Sequence, residues 1–168
     1  MGWIIIFILL FAGVLTAYAA HVGAPYVPTP MTAVKAAMNM VNLKQGEVLL
    51  DAGCGDGRIV IEASKRGARA IGYELSPFLW VVAKLNLWAH RSEGKILFGN
   101  AFEKDLSRYD VIFLFLMPNT LPNFLKEIRK KAKAGTRIIT YAFPLKELEP
   151  EQTEIPFNCA PVRLYILK

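Results

Sequence analysis

Apolar and polar positions change period several times along the chain, and each change marks an element. Val48-Leu49-Leu50 is a short apolar run that ends in Asp51 and breaks into glycines, the pattern of a buried strand entering a turn. From Arg58 to Lys65 the spacing becomes helical, with Gly67 as the stop. Residues 69–73 predict a second strand ending in Glu74. Ser76-Pro77 caps a helix to about residue 90, and Lys95 to Phe98 gives a third strand. Residues 110–115 form a continuous apolar run, as expected of a central strand covered on both faces. A helix over 120–133 follows, then a strand from Arg137 to Tyr141 and a closing hairpin, 154–157 with 162–167. Ahead of all these, Met31, Val34, Ala37, Met38 and Val41 recur at helical spacing behind Thr29-Pro30, which read as N-cap and first helical residue. Strands alternating with helices predict a three-layer α/β sandwich with a mostly parallel sheet. It is a trimmed one, because residues 105–110 are only a short polar link and no room for a full helix remains after Tyr141.

Two stretches break the amphipathic rule. The helix from Pro77 has Phe78, Val82, Leu85 and Ala89 on one side, yet Trp80, Val81, Leu87 and Trp88 are apolar too. Either it is buried on two sides or it turns an apolar face to a bilayer or partner. Residues 2–20 carry no charge and are apolar almost throughout, close to the 18–20 residues that span a bilayer. Trp3 and Tyr18 sit where interfacial aromatics belong, whereas Ala17-Tyr18-Ala19 has the form of a signal-peptide cleavage site. The expectation is a retained anchor over 1–20 and a Pro-rich linker over 21–30. The domain would then fill 31–168. Lys35 and Lys44 follow the span and nothing basic precedes it, which predicts a single-pass membrane protein with its domain on the cytoplasmic side.

The chemistry gathers at Asp51-Ala52-Gly53-Cys54-Gly55-Asp56-Gly57. Glycines between a strand and a helix let a ligand approach bare backbone, with helix N–H groups pointing at it, so the stretch reads as a nucleotide-type cofactor site. Its glycines fall at every second position after an acid, unlike the G-x-G-x-x-G of dinucleotide sites. Glu74 ends the next strand about 20 residues on, where such folds place an acid that chelates ribose hydroxyls. The fourth strand leads into Met117-Pro118-Asn119, at the end of the sheet that borders the ligand crevice. Net charge is +6, from 20 Lys+Arg against 14 Asp+Glu, with no dense basic run interleaved with aromatics, which argues against nucleic acid as partner. The two cysteines, Cys54 and Cys159, have no metal-ligand spacing and read as free thiols, and no metal is expected.

The acid-glycine turn resembles the first motif of the class I, seven-strand S-adenosylmethionine (SAM) methyltransferases, which have a Rossmann-like fold. Pro25-Tyr-Val-Pro-Thr-Pro30, followed by Leu-Leu-Asp-Ala-Gly-Cys-Gly-Asp-Gly-Arg-Ile-Val-Ile, is similar to the small prokaryotic protein-lysine methyltransferases. It is also similar to their mitochondrial relatives that modify the c-ring protein of ATP synthase and the adenine nucleotide translocase. The resemblance covers residues 25 to about 143. It implies SAM as cofactor, held by Asp51 on its ammonium, the turn Gly53, Cys54, Gly55 and Gly57, and Glu74 on the ribose. Tyr26 and Thr29 would fold over it. Asn100, with Ala101 beside it, falls where the family usually has an Asp for the adenine amino group, and its amide oxygen can accept the same bond. Pro118, Asn119 and Tyr141 are the candidate catalytic residues near the transferable methyl. The resemblance further implies transfer to a protein lysine, with an integral membrane protein as one candidate acceptor. Two readings stay open: a SAM-dependent methyltransferase of a small molecule, lipid or nucleic acid, and a membrane protein that binds SAM without turnover.

Overall fold

The structure is a computed structural model that describes residues 2–7, 10–11, 13–14 and 26–168. Helix α1 (Met31–Met40) leads into strand β1 (Val48–Ala52), helix α2 (Arg58–Lys65), strand β2 (Arg69–Glu74), helix α3 (Pro77–Ala89) and strand β3 (Lys95–Phe98). A 3-10 turn (Ala101–Glu103) precedes strand β4 (Val111–Leu114), helix α4 (Leu121–Lys131), strand β5 (Arg137–Tyr141) and the hairpin β6 (Gln152–Glu154) and β7 (Val162–Ile166). The seven strands pair in the order β3-β2-β1-β4-β5-β7-β6, parallel through β5 and antiparallel for the last two.

Alternation along the central strands sends neighbours to opposite faces. Leu49, Val111, Phe113 and Ile139 pack under α1, α2 and α3, while Leu50, Ile112, Leu114 and Ile138 pack against α4. Phe124, Leu125 and Ile128 of α4 are fully buried there, each contributing about 1.5–3 kcal/mol by leaving water. Strand β1 runs two residues beyond its apolar core because Asp51 and Ala52 still pair with Gly72 and Tyr73 on one side and Phe113 and Leu114 on the other. Pro30, in an extended conformation (ψ 142°), takes the cap position expected of Thr29, so α1 starts one residue later. The α3 helix buries Ala83 and Leu87 fully but leaves Phe78, Val81, Leu85 and Trp88 exposed, Trp88 to 81%. It is therefore covered on one side only.

The expected membrane placement does not hold. Among the described residues no helix is long and apolar enough to cross a membrane. The described residues ahead of position 15 are helical and exposed. Residues 15–25, with the cleavage-like Ala17-Tyr18-Ala19 and the first half of the linker, lie outside the described residues.

Candidate functional site

The carboxyl ends of β1, β2, β4 and β5, together with residues 26–29, border a cavity of about 750 Å³. It lies outside the switch point between β1 and β4, where open α/β sheets bind ligands. Its charged lining residues, Asp51, Asp56, Arg58 and Glu74, all belong to the β1–β2 side.

Asp51 is nearly sealed from solvent, 3% exposed, and its Oδ2 has no hydrogen-bond partner. Burial pushes its carboxyl well above the ordinary aspartate range, and the charges of Glu74 and Asp56 add to the effect. A buried acceptor left unpaired costs free energy, which a cationic donor in the cavity would recover. Glu74 is held differently. Its Oε2 accepts from the Gly55 N–H at 2.9 Å and its Oε1 from the Ser76 N–H at 2.8 Å. These bonds fix the carboxylate and leave each oxygen a second lone pair.

The glycine turn has positive φ at Gly53, Gly55 and Gly57, and the N–H groups of these glycines and of Cys54 are engaged inside the protein. Gly53 and Cys54 both donate to the Tyr73 carbonyl, at 3.0 and 2.9 Å, and Gly57 donates to the Cys54 carbonyl at 2.8 Å. Gly55 donates to Glu74, and the first helical N–H, of Arg58, donates to Asp56 Oδ1 at 3.2 Å. These five N–H groups are therefore turned to acceptors of the protein itself and do not form an anion cradle, unlike the expectation of donors aimed at the ligand from the glycines. A ligand meets two carboxylates and bare Cα surface instead. Cys54 lies buried under the loop, where burial, with Asp51 and Glu74 close by, pushes its thiol up.

Residues 26–30 close over the turn. A Cβ on Gly55 would come within 2.8 Å of the Tyr26 ring, so glycine is what lets Tyr26 lie there. Thr29 is 5% exposed, and its carbonyl accepts from Arg58 Nη1 at 2.9 Å. The same guanidinium grips Asp56 through Nε at 2.9 Å and Nη2 at 2.6 Å, tying the cover to the loop. Burial alone would raise Asp56, but the Arg58 hydrogen bonds and charge outweigh it and hold the carboxyl below its usual range. Burial, then the Asp56 charge, raises Tyr26.

Asn100 and Ala101 border the cavity beyond β3, and Asn100 Oδ1 accepts from the Phe102 N–H at 3.0 Å, capping the 3-10 turn. Toward β4 and β5 the wall changes character to Phe115, Leu116, Met117, Asn119, Asn123 and Phe143. Asn119 Oδ1 accepts from the Thr120 hydroxyl at 3.3 Å. Pro118 does not line the cavity. Tyr141 stands behind the wall, its hydroxyl accepting from the Ala160 N–H at 3.3 Å and its ring 4.9 Å from that of Phe115. Sequence reading missed Arg58, Asp56, Phe115 and Asn123. The first two were marked by adjacency to the glycine turn; the others come to the wall only through strand order. Among the described residues no group of His, Cys, Asp and Glu side chains comes together to hold a metal ion, and both cysteines are free.

Residues 51–152 match the family described as ANTKMT methyltransferase domain. A protein-lysine N-methyltransferase of Saccharolobus islandicus is 33% identical over 139 residues, 80% of this chain and 85% of that one. The adenine nucleotide translocase lysine N-methyltransferase of Mus musculus is 30% identical over 132 residues, covering 75% of this chain but only 56% of its own length. Among solved structures, an RNA methyltransferase from Salinibacter ruber in complex with S-adenosyl-L-homocysteine superposes with a TM-score of 0.80 at 28% identity, over 84% of this chain and 94% of that one.

Proposed function

As the chain belongs to the family of ANTKMT-type methyltransferase domains, we propose that it methylates the side-chain amine of a lysine in a protein, with SAM as methyl donor. One observation carries this reading: a single cavity pairs a charged half that fits SAM with an uncharged half suited to a neutral amine. The fit to SAM rests on the unpartnered Asp51 oxygen, which matches the cofactor's ammonium, and on the pre-fixed Glu74 carboxylate, which matches its ribose hydroxyls. The turn Gly53, Cys54 and Gly55 gives the bare surface between them, whereas Gly57 lies outside the cavity lining and faces Leu87 and Ala83 of α3. Tyr26 and Thr29 cover it, and Asn100 with Ala101 takes the adenine end. SAM supplies a methyl group on a positively charged sulfur, already activated toward an amine.

The chain's own residues then have two tasks. A free lysine has a pKa near 10.4, and only its neutral form carries the attacking lone pair. The apolar wall of Phe115, Leu116, Met117 and Phe143 desolvates the amine and lowers that value. Asn119 accepts an N–H of the amine and orients it, since alignment supplies most of the rate in such a displacement. With SAM bound, the amine held by Asn119 would take the methyl group as the bond to sulfur breaks, and the resulting methylammonium would give its proton to water. Tyr141 supports the wall from behind, and Pro118 sets the turn that carries Asn119. A narrower form of the proposal puts the lysine on an integral membrane protein. The uncovered apolar side of α3, whose first turn reaches the cavity at Leu79, supports it.

A nucleic-acid acceptor is the second reading, favoured by the +6 charge and by the likeness to an RNA methyltransferase. The uncharged acceptor wall weighs against it, since it offers no cation to a phosphate. Incubation with methyl-labelled SAM and separate protein and RNA fractions, followed by hydrolysis, distinguishes the two. We expect the label in Nε-methyllysine; label in nucleosides would replace the lysine reading.

A further inference from the structure

Phe143 reaches the cavity through a strained turn. Beyond β5 the chain reverses at Ala142, whose φ is +65°, and the Phe143 N–H donates to the Tyr141 carbonyl at 2.8 Å. A hydrogen bond across one residue of positive φ is the rare, strained form of γ-turn, and alanine has no ease in that region. The turn is held from both sides. The Ala142 N–H donates to the Pro161 carbonyl at 2.9 Å, and Arg163 Nη1 donates to the Ala142 carbonyl at 3.1 Å. Strained backbone persists only where its surroundings fix it, and it clusters at ligand clamps.

The turn serves to bring two rings together on the wall. Phe143 lies nearly parallel to Phe115, at 27° with centroids 6.3 Å apart, and Tyr141 braces Phe115 edge-on. Every charged lining group is on the other half of the cavity, so nothing near these rings would form an ion pair with a ligand. Aromatic faces attract cations whose charge is spread over methyl groups and weakly hydrated. Each methyl added to a lysine removes an N–H donor and so weakens its hold on Asn119, while its attraction to ring faces grows.

We infer that Phe115 and Phe143 form an aromatic subsite for the methylated alkylammonium group, and that Arg163, acting through the Ala142 carbonyl, is the residue that positions it. The inference rests on the lysine reading above and adds retention of the charged product between rounds of transfer.

The test uses the full chain loaded with S-adenosylhomocysteine and titrated with choline or its uncharged isostere, 3,3-dimethylbutan-1-ol. Choline should bind about fivefold more tightly than the isostere. Phe143→Leu, which keeps apolar bulk, should equalise the two. Arg163→Met should weaken choline about threefold, and Arg163→Lys, which keeps a donor, should restore it. Ala142→Gly should raise the melting temperature by relieving strain yet reduce the choline preference, which keeps the test open should Phe143→Leu fold poorly. All variants should bind S-adenosylhomocysteine like the parent. Equal binding of the two probes by the parent, or an undiminished preference in Phe143→Leu or Ala142→Gly, overturns the subsite. An effect of Phe143→Leu without one of Arg163→Met overturns the positioning role. A parent that fails to bind S-adenosylhomocysteine overturns the cofactor reading itself, before any choline is added.

Discussion

The two halves of the cavity are built by different rules. Along β1 and β2 the wall is made of buried oxygen: one carboxylate fixed by backbone donors, another left without a partner, and a glycine turn whose own donors are engaged internally. Along β4 and β5 it is made of rings, a thioether and amides, shaped by a strained turn and carrying no charge. The first half binds by a few strong, directional groups and suits one ligand held the same way every time. The second works by excluding water and by shape, which suits a reacting amine that must lose its proton.

If that division is real, substitutions in the two halves should separate cofactor affinity from turnover. The largest effect should come from Gly55→Val. Its side chain cannot coexist with the Tyr26 ring or adopt φ +55° without strain, so affinity for S-adenosylhomocysteine should fall more than about a hundredfold by calorimetry. Asp51→Asn should come next, at about 2 kcal/mol of lost binding, or some thirtyfold.

Asp51 also carries a pH signature. Burial keeps its carboxyl protonated into a range where an ordinary aspartate is ionised, whereas a bound ammonium favours the ionised form. Cofactor affinity should therefore be full above the raised pKa and fall as pH drops through it, with a proton released on binding. In Asp51→Asn that dependence should vanish. The free protein should melt higher, because above the ordinary aspartate pKa the buried carboxylate opposes folding.

Arg58→Met should cost about 1 kcal/mol, seen as a roughly fivefold rise in KM for SAM with kcat unchanged, since it releases the cover at Thr29 and the Asp56 carboxylate of the loop without touching the acceptor half. Asn119→Ala should leave cofactor affinity untouched while lowering kcat about tenfold. A loss of affinity in Asn119→Ala, or of kcat alone in Asp51→Asn, would break the division.

The same contrast explains what could be read from the sequence. The strand, acid, glycines and helix of residues 48–65 are contiguous, so hydrophobic period and turn chemistry locate them to within a residue or two. Glu74 follows from its place at the end of the next strand. Phe115 and Asn123 could not be found this way, because only the order β1-β4-β5 brings them to the cavity that Asp51 also lines. Tyr141 was legible as the end of a strand, but which way its hydroxyl would turn depended on Ala160, on the far side of the hairpin. Hydrogen-bond accounting was equally hidden: the glycine spacing suggests a ligand near the loop, yet not that the Tyr73 carbonyl takes two of its donors. At the start of the chain, composition matched a membrane span, yet among the described residues no helix is long and apolar enough to cross one.

A crystal structure of the chain with S-adenosylhomocysteine tests the division most directly. The homocysteine ammonium should lie about 3 Å from Asp51 Oδ2 and the ribose hydroxyls on Glu74, with the sulfur facing Asn119 and the Phe115–Phe143 wall. An adenine ring seated between Phe115 and Phe143, with Asp51 still unpaired, would contradict it.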